Sequence, residues 1–239
     1  MPVVQPPAAR DRDRRYTGDV MTMSVLILSA LSVDAARGPA ALESLIEAVE
    51  ARGGGADVVD TPSANIRPCT GCGSCGGRTP GLCVLRDEMQ EVFPRLVAAD
   101  VLVLATPVRF GSHCAQLKKV VDRFQPLMAP LYCVRDGEMN FKPRYPRRPA
   151  LLGVGLLAPA DGEYAGTARM RAAEADAFRH LISRHARNLD PPAYAAAVLT
   201  GGDPRGDAVE LAVALNDVMG SATVDSVTVG IATSTRARR

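Results

Sequence analysis

Short apolar runs alternate with stretches of helical periodicity along most of the chain. Uninterrupted apolar runs of this length are typical of strands buried on both faces of a parallel sheet. Between the first two runs, Leu42, Leu45, Ile46 and Val49 recur at helical spacing. The alternation predicts an α/β fold, a doubly wound five-stranded parallel sheet with helices on both faces. The predicted strands are SVLILSA (24–30), ADVVD (56–60), DVLVLAT (100–106), ALLGVGLLA (150–158) and AYAAAVL (193–199).

A chain of 239 residues suits one α/β domain of generous size. Residues 1–22 are rich in Pro, Arg and Asp without periodicity, which predicts a flexible extension before a single domain over 23–239. Within that domain we expect a cysteine loop at 68–84 and a loose C-terminal tail. The proline-rich stretch 130–149 reads as an irregular surface excursion, and the alternation over 224–231 as an edge strand or a cover for a neighbour.

The bulk composition argues against several classes of partner. The chain has 28 basic and 26 acidic residues, a net charge of +2, which gives no reason to expect nucleic acid. Aromatic residues make up only 4% of the chain, so a base-stacking platform is not expected either. No apolar run reaches the length of a membrane span, and no hydrophobic export signal precedes the first strand. We therefore expect a cytoplasmic protein, with no membrane contact, whose cysteines are thiols or metal ligands.

Four of the six cysteines form an array with the spacing C-x2-C-x2-C-x7-C, namely Cys69, Cys72, Cys75 and Cys83. Two intervening residues allow a tight turn that points successive thiolates at one metal. A 4Fe–4S cluster needs four thiolates, and zinc could use the same ligands. A glycine-rich loop with small buried thiols is the alternative.

A second motif, TPVRFGSHCAQLKKVVDR, runs from Thr106 to Arg123 directly after the third apolar run. A Thr-Pro turn at this place fixes the backbone, so that the following N–H groups can face the edge of a ring. Gly111 would permit the close approach of a planar ligand. An ordinary loop before a helix would have the same spacing.

Together, the segments PCTGCGSC, TPGLC, DEM, AADVLVLATPVRFGS and QLKKVVDR resemble the flavodoxin-like NAD(P)H-dependent FMN reductases. The resemblance is closest to the branch that includes the iron-sulfur flavoproteins, and it covers about residues 24 to 128. It implies a flavodoxin-like sheet with strand order 2-1-3-4-5 and FMN at the carboxyl edge. It also implies a homodimer or tetramer and NAD(P)H as the donor.

By this resemblance, the loop after the first strand holds the ribityl phosphate through Ser29, Ser32 and Arg37. The isoalloxazine ring would lie against the loop that carries Thr106, Pro107, Val108, Arg109, Phe110 and Gly111. Three departures from the family pattern stand out. Ser29-Ala30 replaces the usual Gly-Ser start of the phosphate loop, where Asp34 also places a negative charge. Arg109 replaces the ring-stacking Tyr common at its position, and the gap from Cys75 to Cys83 is longer than in the compact cluster motif. No protein acid or base is expected, since the flavin carries the chemistry.

Three functions are compatible with the sequence. The first is an FMN-dependent oxidoreductase that takes a hydride from NAD(P)H and reduces a small acceptor such as a quinone or a flavin. The second is an iron-sulfur flavoprotein in which a ferredoxin-like donor passes single electrons through a cysteine-bound cluster to FMN. The third is a non-enzymatic thiol or zinc module.

The remaining polar candidates are assigned to structural or surface roles. We expect His113 at the solvent edge or facing substrate, and both His180 and His185 on the surface of a helix. Asp122 and Arg123 are predicted to make an ion pair or a helix-end contact rather than to take part in chemistry.

Overall fold

The structure, a computed structural model, describes residues 22–160 and 166–232. The predicted N-terminal extension, apart from its last residue, and the final seven residues of the predicted tail lie outside the described residues. The domain boundaries therefore stay predictions.

Five parallel strands form the central sheet, in the spatial order β2-β1-β3-β7-β8. Counted along the chain among the parallel strands alone, this order is 2-1-3-4-5. A two-residue strand, β4, pairs antiparallel with the end of β3. The predicted flavodoxin-like α/β fold class is confirmed. The strands are β1 (Met23–Ser29), β2 (Gly54–Asp60), β3 (Val101–Arg109), β4 (Ser112–His113), β7 (Ala150–Leu156) and β8 (Tyr194–Leu199).

Helices cover both faces of this sheet because the strands are apolar on both faces. Along β1, Val25 and Ile27 face one core cluster, while Leu26 and Leu28 face the other. The first cluster is completed by α1 and α5, and the second by α2, α3 and α4. The helices are α1 (Gly38–Glu50), α2 (Met89–Ala98), α3 (Ala115–Val121), α4 (Ala168–Leu189) and α5 (Pro204–Ala232), with two short 3₁₀ helices at Leu31–Val33 and Gln125–Leu127.

Two predictions outside the sheet were wrong. The proline-rich excursion contains an antiparallel hairpin of β5 (Met128–Arg135) and β6 (Glu138–Pro143), with Asp136 and Gly137 in left-handed conformation at its turn. The stretch 224–231 is the last part of α5, not an edge strand. No proline follows Gly220 there, and Gly220 and Gly230 cost a helix only about 1 kcal/mol each.

None of the helices in the described part of the chain is long and apolar enough to cross a membrane.

Candidate functional site

The loop that follows β1 lies beside the last part of β3 at the carboxyl edge of the sheet, because Ser29 and Ala105 are partners in the parallel register and the Ala30 amide donates to the Ala105 carbonyl. Ser29 is fully buried, and its hydroxyl accepts a hydrogen bond from the Leu31 amide at 3.2 Å. The Ser32 hydroxyl donates to the carboxylate of Asp60 at the end of β2, at 2.6 Å. Both predicted phosphate-loop hydroxyls are therefore engaged within the protein, and Asp60 is a part of this edge that the sequence analysis missed.

Arg37 connects the loop after β1 to the loop after β8. Its guanidinium pairs with Asp34 at 2.6 Å and donates to the Thr200 carbonyl at 3.2 Å. In the described structure, the amides of Ala35 and Ala36 donate to no other group, and α1 begins two residues later. Free amides, a helix N-terminus and a guanidinium fit a phosphate group, although the carboxylates of Asp34 and Asp60 oppose it.

The predicted ring-binding segment begins as a continuation of the buried strand. Thr106, Pro107 and Val108 are buried within β3. The Thr106 hydroxyl accepts from the Cys114 amide at 3.1 Å and donates to the Pro107 carbonyl at 2.9 Å. The Val108 side chain belongs to the core. These three residues can therefore offer a flavin only backbone, not side chains.

The tip of the β3–β4 hairpin carries the exposed part of the segment. Arg109 is exposed and donates to the Val108 carbonyl at 3.1 Å, while Phe110 is 96% exposed with φ of 52°. Gly111 has φ of 71°, and a Cβ there would lie 2.4 Å from the Cβ of Ala177 in α4. The absence of a side chain at Gly111 therefore lets the hairpin tip pack closely against α4, and its contact with a ligand stays a prediction.

A pair of histidines lies just beyond this tip. His113 in β4 and His185 in α4 join through their Nε2 atoms at 2.8 Å. Their rings are within 6° of parallel and their centroids are 5.0 Å apart, so the rings meet edge to edge, nitrogen to nitrogen. His113 is buried and also packs edge-on against Phe178. Of the three predicted surface or edge histidines, only His180 is exposed.

The burial of the pair fixes its protonation. Burial, together with the nearby His185 and Lys118, lowers the pKa of His113 from 6.5 to about 3. Burial, with Lys118, also lowers the pKa of His185, which Asp122 partly offsets. His113 Nδ1 has no hydrogen-bond partner among the described residues. We infer that His113 donates through Nε2, because a buried lone pair costs less than a buried N–H.

The cysteine loop presents its thiols near the surface. Cys69 and Cys72 are exposed, whereas Cys75 and Cys83 are half-buried. Hydrogen bonds from Ser74, joined by one from Thr70, lower the pKa of Cys72 from 9.0 to about 7. Burial raises the pKa of Cys75, and the other three thiols of the array raise it further, so all four lie in one neighbourhood.

In this conformation the cysteine loop does not form a complete metal-binding site. Among the residues that the structure describes, no three His, Cys, Asp or Glu side chains converge at metal-binding distance. The left-handed Gly71 and Gly73 instead set tight turns, and the Gly71 amide donates to the Cys69 sulfur at 3.4 Å. The array therefore does not fit a 4Fe–4S cluster or zinc in this conformation.

Both ends of the cysteine loop are fastened to one buried ion pair. The Arg123 guanidinium, at the end of α3, meets both carboxylate oxygens of Asp87 at 2.6 and 2.7 Å, and both side chains are 1% exposed. Asp87 also accepts from the Arg67 amide at 3.1 Å, and Arg123 donates to the Arg67 carbonyl at 3.2 Å. Burial opposes ionisation of Asp87, but these hydrogen bonds outweigh it and lower its pKa. The structural role predicted for Arg123 is confirmed, while its neighbour Asp122 pairs with Lys118.

The family model described as NADPH-dependent FMN reductase matches residues 23–185, from β1 into α4. The chain belongs to the NADPH-dependent FMN reductase family. The matched span includes every residue of the candidate flavin site named above, together with the cysteine loop and the histidine pair.

Curated relatives of this FMN reductase family member carry the name iron-sulfur flavoprotein. One from Methanosarcina thermophila is 37% identical over 78 residues, which is 33% of this chain and 40% of the relative. One from Archaeoglobus fulgidus is 35% identical over 85 residues, covering 36% and 38%. The chain thus spans about two fifths of the length of these relatives.

Solved structures share the fold at low identity. An NAD(P)H:quinone oxidoreductase from Methanothermobacter marburgensis superposes with a TM-score of 0.53 at 16% identity, covering 85% of this chain and all of that one. A putative quinone reductase from Klebsiella pneumoniae gives a TM-score of 0.56 at 14% identity, covering 82% and 84%. These similarities support the flavodoxin-like fold.

The histidine pair predicts a loss of stability in mild acid. Because folding lowers the pKa of His113, the unfolded chain takes up a proton below about pH 6.5 that the folded chain refuses. The neutral His113 contributes fully to the free energy of unfolding well above pH 6.5, and this contribution decreases as the pH is lowered. Near pH 5 the loss of stability reaches roughly 2 kcal/mol. We expect urea unfolding at pH 7.5 and pH 5 to show a larger difference for the wild type than for His113→Gln/His185→Gln.

The exposed His180 provides the matched control, since His180→Gln removes an imidazole from the same helix outside the pair. It should keep the wild-type pH dependence. An equal pH dependence in the double variant and the wild type would contradict the account of the pair.

Proposed function

We propose that the protein is an FMN-dependent oxidoreductase that takes a hydride from NAD(P)H and reduces a small acceptor such as a quinone or a flavin. The observation that carries the proposal is the match of the FMN reductase family across both carboxyl-edge loops. In the described part of those loops, free amides and Arg37 follow β1, and an exposed hairpin tip follows β3. When bound, FMN would supply the acceptance of a hydride and its onward transfer.

The protein residues in this proposal bind and orient rather than react. The amides of Ala35 and Ala36 and the start of α1 would hold the phosphate, with Arg37 as the nearest cation. Arg109 and Phe110 are exposed at the hairpin tip, and in this proposal their side chains would contact the ring. A guanidinium there can stack on the ring or stabilise negative charge on the reduced flavin. In this proposal the protein acts in the cytoplasm as a homodimer or tetramer.

The second candidate function is an iron-sulfur flavoprotein that receives electrons from a ferredoxin-like donor. The names of the curated relatives favour it, and the mutual influence of the four thiols on Cys75 agrees with it. Against it stands the finding that no three His, Cys, Asp or Glu side chains of the described residues converge at metal-binding distance. We therefore rank the nicotinamide-dependent reaction first and assign no step to a cluster.

Purification without air, followed by FMN addition and steady-state assay, tests this ranking. We expect flavin absorption bands, and oxidation of NADH or NADPH with quinone or flavin as acceptor. Cys72→Ser/Cys75→Ser should keep at least half of the turnover, because neither thiol belongs to the carboxyl-edge site, and Cys133→Ser serves as the matched control.

Three results would redirect the proposal. The iron-sulfur alternative would be favoured by flavin bands with a broad cluster shoulder, together with bound iron and sulfide. All of these, and the activity, would be lost in the double cysteine variant. A protein that binds no FMN would leave only a thiol or zinc module. Bound FMN without turnover by either nicotinamide would refute the proposed donor.

The Asp34 carboxylate should weaken FMN binding, because it opposes the phosphate charge and occupies Arg37. In Asp34→Asn the amide oxygen can still accept from the Arg37 backbone, but the charge is gone. We expect the dissociation constant for FMN to fall about tenfold, equivalent to about 1.4 kcal/mol. Fluorescence titration with FMN and with riboflavin measures the difference.

Riboflavin lacks the phosphate, so its affinity should change little in the same variant. Asp57→Asn, which removes a carboxylate from an exposed ion pair with Arg95, is the matched control. Equal tightening of FMN and riboflavin would show that Asp34 acts on something other than the phosphate.

A further inference from the structure

The hairpin tip after β3 has little backbone pairing of its own. Two residue pairs join β3 to β4, namely Val108 with His113 and Arg109 with Ser112. Between these pairs, Phe110 and Gly111 have positive φ values of 52° and 71°. A left-handed conformation of a residue such as phenylalanine carries a conformational cost and persists only where surrounding contacts fix it. Contacts from elsewhere in the fold must therefore hold the tip in place.

The helix α4 supplies these contacts. The turn lies directly on it, since a Cβ on Gly111 would come within 2.4 Å of the Cβ of Ala177. The ring of Phe178 meets His113 edge-on, with centroids 6.0 Å apart. His185, two turns further along α4, is joined to the Nε2 of His113 at 2.8 Å. Because no other side-chain hydrogen bond among the described residues joins this hairpin to α4, the histidine bond is the polar attachment of the tip.

This attachment requires a neutral histidine pair. In the neutral pair one Nε2 donates and the other accepts. A further proton either places an N–H on both Nε2 atoms, which ends the bond, or moves an N–H to Nδ1 of His113. That Nδ1 is buried and has no hydrogen-bond partner among the described residues, so an N–H there would carry a desolvation penalty. Protonation therefore opposes the docked hairpin in either arrangement.

The charges that face the pair do not favour a proton on it. They come from α3, where Lys118 and Asp122 form an ion pair with each other. Lys118 opposes protonation of both histidines, whereas Asp122 favours protonation of His185 alone. The elements that carry the pair, β4 and α4, add no further charge to it in the described structure. Burial accordingly keeps the pKa of both histidines below 6.5.

We propose that His113 and His185 are positioning residues for flavin binding, which hold the hairpin tip on α4 while they are neutral and release it when they take up a proton. The inference rests on the proposed function, which brings the flavin ring to this tip. A released tip no longer holds Arg109 and Phe110 in one place, so the ring loses its contacts there. The protein should therefore bind the ring tightly at neutral pH and weakly in mild acid.

Fluorescence titration with riboflavin tests the proposal, because riboflavin carries the ring without a phosphate, whose own charge changes near pH 6. From pH 7.5 to pH 5, the docked fraction of the wild type should fall, and the dissociation constant should rise roughly fivefold or more. The upper limit for one proton is about thirtyfold, since the pKa of His113 is about 3 when the tip is docked and 6.5 when it is released. Docking is fully favoured well above pH 6.5 and loses this support as the pH is lowered.

Two variants separate the hydrogen bond from the added charge. In His185→Ala the bond is lost at every pH, so riboflavin should bind roughly fivefold more weakly, or worse, at pH 7.5. In His113→Gln/His185→Gln the two amides can donate and accept as the neutral imidazoles do, without a group that titrates in this range. This double variant should bind riboflavin at pH 7.5 within about threefold of the wild type, and no more weakly at pH 5.

His180→Gln is the matched control, since His180 is an exposed imidazole of the same helix outside the pair. It should keep the wild-type affinity at both pH values. If circular dichroism shows that His185→Ala is misfolded, the double glutamine variant decides alone. A wild type with equal riboflavin affinity at both pH values, or a weakening at pH 5 that the double variant retains, would overturn this inference alone. A protein that binds neither FMN nor riboflavin at pH 7.5 would refute the proposed function, and this inference with it.

Discussion

The buried contact between Arg123 and Asp87 is the interaction on which the cysteine loop depends. Two charges at 1% exposure are stable only as a pair, because a lone charge in that position would lack both water and a counterion. Through Asp87 and the main chain of Arg67, the pair fixes the exit and the entry of the loop to the end of α3. The loop between them is free to adopt glycine-dependent turns without disturbing the sheet.

The carboxyl edge of the sheet is held together by different interactions from those of the cysteine loop. There, hydroxyls and charges are mostly satisfied within the protein, as in the contacts of Ser32 with Asp60 and of Arg37 with Asp34. The groups that remain available to a ligand are the backbone amides after β1 and the exposed hairpin tip after β3. A cofactor with a phosphate and a ring needs both kinds of surface, amides for the phosphate and an exposed tip for the ring. In this respect the geometry agrees with the family membership. The cysteine loop and the candidate flavin site are thus held by different sets of contacts.

Sequence periodicity predicted the sheet well because buried parallel strands leave uninterrupted apolar runs. It failed where tertiary contacts decide the outcome. His185 seemed a surface residue, yet Phe178, Ile182 and His185 follow a helical spacing that places it on the buried side of α4. The tight packing of Gly111 against Ala177 could not be predicted, because the two residues are 66 positions apart in the sequence. The β5–β6 hairpin was not predicted because prolines interrupt its sequence. The hydrogen-bond partners of Asp34 and Asp60 could not be predicted because they depend on the tertiary fold.

Hydrogen–deuterium exchange on Asp87→Asn tests most directly whether the ion pair anchors the loop independently of the flavin site. Leaving Arg123 buried without its counterion should cost about 3–5 kcal/mol locally. Amides of residues 66–88 should then exchange at least a hundredfold faster, while β1, β3 and the amides near Arg37 keep wild-type rates. Asp57→Asn, which breaks an exposed pair, should change neither region. Uniform acceleration across the sheet, or unchanged exchange in the loop, would contradict the account.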